Sequence, residues 1–172
     1  MRTFLSLTPD AGTSMAIEKW CSLCWPGQSR KIPMQNYHVT VAFFGDITQA
    51  QLLAMQEGLD LLEHPAFELR FDEVRYLPDP SVLWLGVRQV PAAANHLADK
   101  CKTIANRASI RVASRRYQPH LTLARKITFP PSMPLIEPDF AAHFTSLQLM
   151  QSHRERGGAR YVELNSWKLL EY

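Results

Sequence analysis

Apolar residues follow two different spacings along the chain, one typical of strands and the other of helices. Apolar and polar residues alternate in segments 37–44 and 120–127, and a mostly apolar run fills segment 2–7, so these segments are predicted strands. Apolar residues recur every three or four positions in segment 13–25, after Thr48 and after Pro91, which predicts three helices. Thr48 and Gln51 have the spacing of a capping box, which supports the start of the second helix.

Four more strands are predicted as two hairpins. Segments 67–77 and 81–90 are separated by a Pro-Asp-Pro turn, and segments 143–152 and 160–172 by "HRERGGA". Strands joined by short turns pair antiparallel, so a purely parallel sheet is not expected. The order of elements predicts an α+β fold with antiparallel sheets, in one domain that spans residues 1–172.

Two of the predicted strands contain the same short pattern. "HVTVAF" begins at His38 and "HLTLAR" begins at His120, 82 residues later. Side chains alternate along a strand, so the histidine and threonine of each copy share one face, while the apolar residues between them point to the core. If the two strands lie across a cleft from each other, two imidazoles and two hydroxyls meet in a small volume.

These four groups suit metal-independent chemistry at a phosphodiester. The imidazole pKa lies near neutrality, so one histidine can accept a proton while the other donates one. Threonine hydroxyls can donate hydrogen bonds to anionic oxygens and so stabilise developing charge. A two-histidine metal site would be expected to include a carboxylate, and neither copy of the pattern has one. No metal and no cofactor are predicted.

The two tetrapeptides, His38-Val39-Thr40-Val41 and His120-Leu121-Thr122-Leu123, resemble the signature of the two-histidine phosphoesterase superfamily. With "RTFLSL", "SVLWLGV" and "RYVELNSWKL", nearly the whole chain resembles the RNA 2′,3′-cyclic phosphodiesterases, the LigT-like proteins formerly called 2′-5′ RNA ligases. The resemblance implies a bilobal domain in which two antiparallel sheets, related by a pseudo-twofold axis, face a central cleft, with helices on the outer faces.

The same resemblance implies a role for each motif residue. His38 would be the proton donor and His120 the proton acceptor in opening a 2′,3′-cyclic phosphate to a 2′-phosphomonoester. Thr40 and Thr122 would hold the non-bridging oxygens. The expected substrates are RNA with cyclic phosphate ends or cyclic nucleotides.

Further substrate contacts are expected from one cation and three aromatic residues. Arg125 follows Thr122 by three positions, so strict alternation turns it away from the histidines, although a bulge in the strand would return it. Phe44, Trp84 and Tyr161 are candidates for stacking on a base, as in single-strand binders, with a place in the core as the alternative for each.

Composition adds few constraints. The formal charge of +3 permits a polyanionic partner without requiring one. Cys21 and Cys24 form a CxxC, but with Ile17 and Trp20 they follow helical spacing, which favours packing over a metal or redox site. The sequence shows neither a secretory signal nor an apolar run long enough for a membrane span, so a cytoplasmic protein is expected. A monomer is expected as well.

Two alternatives use the same residues. The site could carry out reversible 2′-5′ ligation or cleave 2′-5′ phosphodiesters, or the domain could bind RNA ends without turnover. The pair of histidines favours an enzyme, because binding alone needs neither an acid nor a base.

Overall fold

The computed structural model describes all residues, 1–172, with nine strands, three α-helices and one short 3-10 turn at Met34–Asn36. The strands are β1 (Arg2–Leu7), β2 (Val39–Asp46), β3 (Phe67–Phe71), β4 (Glu73–Leu77), β5 (Val82–Gly86), β6 (His120–Arg125), β7 (Phe140–Phe144), β8 (Ser146–Glu155) and β9 (Gly158–Lys168). The helices are α1 (Ala11–Cys24), α2 (Gln49–Asp60) and α3 (Ala92–Arg107).

The strands form two sheets, and all pairings between them are antiparallel. One sheet has seven strands in the order β4-β5-β6-β2-β1-β8-β9, and the other pairs β3 with β7. The predicted α+β class with antiparallel sheets is therefore confirmed. The arrangement of the motif strands differs from the expected one. They were expected to lie across a cleft from each other, but β2 and β6 lie side by side in the seven-stranded sheet.

The contact between β2 and β6 is narrow. Only Val39 and Leu121 are paired between them, whereas β1 and β2 are paired along their whole length. This seam divides the sheet into a half with β2-β1-β8-β9 and a half with β6-β5-β4. Two lobes thus meet where the two motifs meet.

Two long runs predicted as single strands are each divided in the structure. The run 67–77 breaks at Asp72, whose carboxylate accepts a hydrogen bond from the backbone N–H of Arg88. The predicted strand 143–152 is divided at Thr145, whose carbonyl accepts a hydrogen bond from the N–H of Leu169. In each case one part joins the seven-stranded sheet and the other forms the small sheet.

Two of the three helices begin where a polar side chain accepts a hydrogen bond from a free backbone N–H, whereas α3 begins after Pro91 without such a cap. Asp10 accepts a hydrogen bond from the N–H of Thr13 at the start of α1, and Thr48 with Gln51 forms the predicted capping box of α2. α1 packs near β7, and α3 packs against α2 and β2. No helix is long and apolar enough to cross a membrane.

The core confirms that the cysteines pack as small apolar side chains. Cys21 and Cys24 are buried on α1, and both belong to a cluster of 38 buried residues that also includes Cys101 on α3. Burial raises the pKa of Cys21 and of Cys101 to about 12, so both thiols stay protonated at neutral pH.

Candidate active site

The two motifs meet at a local twofold axis. Val39 directly follows His38, Leu121 directly follows His120, and these two equivalent residues are opposite each other in the antiparallel pairing. Antiparallel geometry then directs His38 towards Thr122 and His120 towards Thr40 on the adjacent strand. The structure thus brings together the four residues that the repeated pattern singled out.

Each motif strand carries a bulge at the same place. Ser6 pairs with Thr40 but Leu5 pairs with Ala42, which leaves Val41 as an extra residue in β2. Trp84 pairs with Thr122 but Leu83 pairs with Ala124, which leaves Leu123 as an extra residue in β6. An extra residue reverses the alternation, so Ala42 and Phe43 in β2, and Ala124 and Arg125 in β6, point opposite to what the sequence pattern predicts. A second shift in β2 leaves Phe44 as another extra residue, after which Gly45 and Asp46 follow the original alternation again. We call the side of the sheet that carries Thr40 and Thr122 the motif face.

The bulge in β6 returns Arg125 to the motif face. Its Nη2 donates a hydrogen bond to Thr122 Oγ1 at 3.4 Å, and its guanidinium is close enough to affect the pKa of both motif histidines. The backbone here is held by a neighbouring segment, because the N–H of Arg125 donates to the carbonyl of Arg30. The structure therefore brings Arg125 to the site, as the bulged alternative allowed.

The bulge in β2 corrects the expectation for Phe44. Phe44 is 8% exposed and belongs to the hydrophobic core, so it cannot stack on a base. Phe43 is 45% exposed, and it pairs directly with Phe4, which lies on the motif face. Phe43 is thus the first-motif equivalent of Arg125, each being five residues after its histidine. A bulge assumed at the same place in both copies would have identified it.

The backbone fixes the orientation of both imidazoles. His38 Nδ1 lies 2.7 Å from the carbonyl oxygen of Asn36, and His120 Nδ1 lies 2.9 Å from that of Gln118. A carbonyl only accepts hydrogen bonds, so each Nδ1 carries a proton and donates it. Each Nε2 is then the nitrogen that accepts or donates a proton in chemistry.

Aromatic rings support both histidines. Trp84 lies edge-on to His120 with ring centroids 4.2 Å apart, and Phe4 and Tyr161 each lie about 5.1 Å from the ring of His38. Trp84 is only 5% exposed, so it supports His120 and is not a platform for a base, which corrects the expectation for Trp84. Tyr161 is partly exposed beside His38 and can contact a ligand.

Burial and nearby charge act on the two histidines in the same direction. Loss of solvent lowers the pKa of His38 and of His120, although the hydrogen bond to a backbone carbonyl partly opposes this. The positive charge of Arg125 lowers both pKa values further, and Arg115 adds to this at His120. Both rings are therefore mainly neutral at pH 7 before an anion binds.

A small cavity of about 70 Å³ lies beside His38. Its lining includes Ser6, Thr8, Asn36 and Tyr161, and the hydroxyl of Ser6 is buried without a hydrogen-bond partner. A larger open groove of about 450 Å³ lies between α2 and α3 and contains none of the motif residues. No group of three or more His, Cys, Asp and Glu side chains is arranged to hold a metal ion.

Comparison with known proteins places the chain in a family. A model described as the 2′-5′ RNA ligase superfamily matches residues 26–156. The chain belongs to this superfamily, so the family resemblance predicted from the paired tetrapeptides is confirmed. The RNA 2′,3′-cyclic phosphodiesterase of Escherichia coli strain K12 is 27% identical over 171 residues, covering 99% of this chain and 97% of that protein. Because this relative is a hydrolase by name, the predicted enzyme class, a hydrolase, is confirmed.

Solved structures agree with the fold. Escherichia coli LigT complexed with 3′-AMP has a TM-score of 0.88 at 27% identity, covering 98% of this chain and 97% of that one. TT0787 of Thermus thermophilus has a TM-score of 0.83 at 18% identity, covering 98% and 97%, and supports the fold alone.

Proposed function

We propose that this protein opens 2′,3′-cyclic phosphate ends of RNA by hydrolysis, leaving a 2′-phosphomonoester, without a metal ion. The observation that carries the proposal is the pair of imidazoles on adjacent strands, each with Nδ1 tied to a backbone carbonyl and each beside a threonine. One domain, acting as a monomer in the cytoplasm, is part of this proposal.

The reaction needs one proton to be taken and one to be given. His120 Nε2 accepts a proton from water as the water oxygen forms a bond to phosphorus. The bond from phosphorus to the ribose 3′ oxygen breaks, and the Nε2–H of protonated His38 gives its proton to that oxygen. Thr40, Thr122 and Arg125 hold the non-bridging oxygens, where the guanidinium and hydroxyls stabilise the charge of the transition state.

The chemistry of the two sides supports this choice of acid and base. Arg125 acts on both histidines, whereas the guanidinium of Arg115 acts on His120 alone and so favours the neutral, proton-accepting form of His120. The side of His38 is aromatic, with Phe4, Tyr161 and the exposed Phe43. A nucleoside would bind on the aromatic side, and its own 3′ oxygen is the leaving group, so His38 is the acid. The relative from Escherichia coli is named for this activity.

The test is incubation with a 2′,3′-cyclic nucleotide in EDTA, with chromatography that separates 2′- from 3′-phosphate products. We expect the 2′-phosphate, and a loss of at least about a hundredfold in kcat for His38→Ala and for His120→Ala. A 3′-phosphate product, or turnover only after metal is restored, contradicts the mechanism. Binding of RNA ends without turnover would favour a binding module.

A second candidate, 2′-5′ ligation, has support from the description of the matching family. The same site would join two RNAs if a 5′-hydroxyl of a second RNA replaced water: His120 would accept the hydroxyl proton, the 5′ oxygen would bond to phosphorus, and the ribose 3′ oxygen would leave with the proton of His38. Incubating an RNA with a cyclic phosphate end together with a 5′-hydroxyl RNA tests it, because a longer product resistant to a 3′-5′-specific nuclease would show ligation.

A further inference from the structure

We propose that Arg2 binds the phosphodiester on the 5′ side of the terminal nucleotide, so that the preferred substrate is an RNA strand and not a cyclic mononucleotide. This inference rests on the proposed function, and it concerns a residue that lies outside both motifs.

Arg2 lies on the motif face. The extra residues of the β1–β2 pairing all belong to β2, so β1 itself alternates regularly, and Arg2, Phe4 and Ser6 share a side. Phe4 contacts the His38 ring, and Ser6 pairs with Thr40. Arg2 is two residues beyond Phe4, roughly 7 Å along the strand. Arg2 is thus close to the motif residues His38 and Thr40 but has no role in the proton transfers.

The guanidinium of Arg2 is held in place by an aromatic ring. Its Cζ lies 4.7 Å from the centroid of the exposed Phe43 ring. Arg2 forms no ion pair, although Asp46 is opposite it across the β1–β2 pairing and Glu163 lies on the same side of the more distant β9. An oriented guanidinium without a carboxylate partner is available to an anion.

The course of an RNA strand follows from the other contacts. Suppose that the cyclic phosphate binds at Thr122 and Arg125 and the terminal base at Phe43. The next phosphate towards the 5′ end is attached to that same nucleoside, so it would lie near Phe43. Arg2 is the cation next to Phe43. Single-strand binders combine aromatic rings with cations along the backbone in this way. Arg154 is exposed on the motif face of β8, further along the same path, and adds a second cation there.

The test compares kcat/KM for adenosine 2′,3′-cyclic phosphate and for a triadenylate ending in a 2′,3′-cyclic phosphate. We expect the unaltered protein to prefer the trinucleotide. Arg2→Ala should reduce kcat/KM for the trinucleotide by about tenfold, with a smaller loss for the mononucleotide. The dependence of log(kcat/KM) on log salt for the trinucleotide should become shallower by about 0.7. Arg2→Lys should retain part of the preference, because the charge remains.

Arg107→Ala is the matched control, since Arg107 is an exposed arginine on the last turn of α3. It should leave both substrates unaffected. Equal losses of Arg2→Ala on both substrates would mean that Arg2 only supports Phe43, and the inference would be overturned. Absence of turnover on both substrates by the unaltered protein would instead contradict the proposed function.

Discussion

Phe43 and Arg125 occupy equivalent positions in the two halves of the site, each five residues after a motif histidine and each beyond a bulge of its strand. The local twofold at Val39 and Leu121 relates their positions, but their chemistry differs. One half offers an aromatic ring and the other a guanidinium. A symmetric scaffold therefore carries an asymmetric site, as a reaction with a distinct nucleophile and leaving group requires.

Arg125→Ala is expected to lower kcat on the order of 10²–10³, because in the proposed mechanism Arg125 is the charged donor to the non-bridging oxygens. Steady-state kinetics with a 2′,3′-cyclic nucleotide measure this. Arg125→Lys should recover part of the loss, since it keeps the charge but not the planar fork of donors. Arg125 is exposed, so thermal unfolding should hardly change in either variant. Unaltered kcat in Arg125→Ala would remove Arg125 from the mechanism.

Replacing Phe43 by alanine should weaken substrate binding, whereas replacing its neighbour Phe44 should lower the stability of the fold. Phe43→Ala removes a stacking surface, and a loss of 1–3 kcal/mol in base binding corresponds to a rise in KM of roughly 5- to 150-fold. Phe44→Ala instead leaves a cavity in the core and should reduce the free energy of unfolding by about 3–5 kcal/mol. Kinetics and urea unfolding of both variants distinguish the two. A larger effect on KM from Phe44 than from Phe43 would show that the alternation is not reversed.

This pair of residues also shows where prediction from the sequence ends. Alternation and helical spacing were sufficient to identify the motif strands and the three helices, because burial of one side imposes these patterns. A bulge adds one residue without changing residue types, so "HVTVAFF" still suggested that Phe43 is buried. The small sheet was also not predicted, because Phe67–Phe71 and Phe140–Phe144 are far apart in sequence and no turn connects them.

The pH dependence of kcat/KM should have its maximum on the acidic side of 6.5, the ordinary pKa of histidine. In the proposed mechanism the active form has neutral His120 and protonated His38, and burial lowers both pKa values. Activity therefore falls as pH rises through the pKa of His38 and also as pH falls through that of His120. Because Arg125 lowers both values, Arg125→Ala should move the whole profile to higher pH. A profile that does not move in this variant would argue against that electrostatic contact.

Gly86→Ala should destabilise the half of the sheet formed by β6, β5 and β4, although Gly86 touches no substrate in the proposed mechanism. Gly86 pairs with both Glu73 and His120, and an added Cβ would lie 2.8 Å from Glu73 Oε1 and 2.9 Å from its Cγ. Glu73 is not free to move without cost, because it is paired with Arg75 at 3.1 Å. Urea unfolding should show a loss of about 1–3 kcal/mol.

The control for this substitution is Gly157→Ala, where an added Cβ meets no atom within 4 Å. It should leave the free energy of unfolding nearly unchanged. If the collision with Glu73 is the cause, Gly86→Ala should cost much less stability in a Glu73→Ala background than in the unaltered protein, because the two side chains no longer compete for the same space. Additive losses in the double variant would mean that Gly86 is needed for another reason, such as the backbone conformation beside His120.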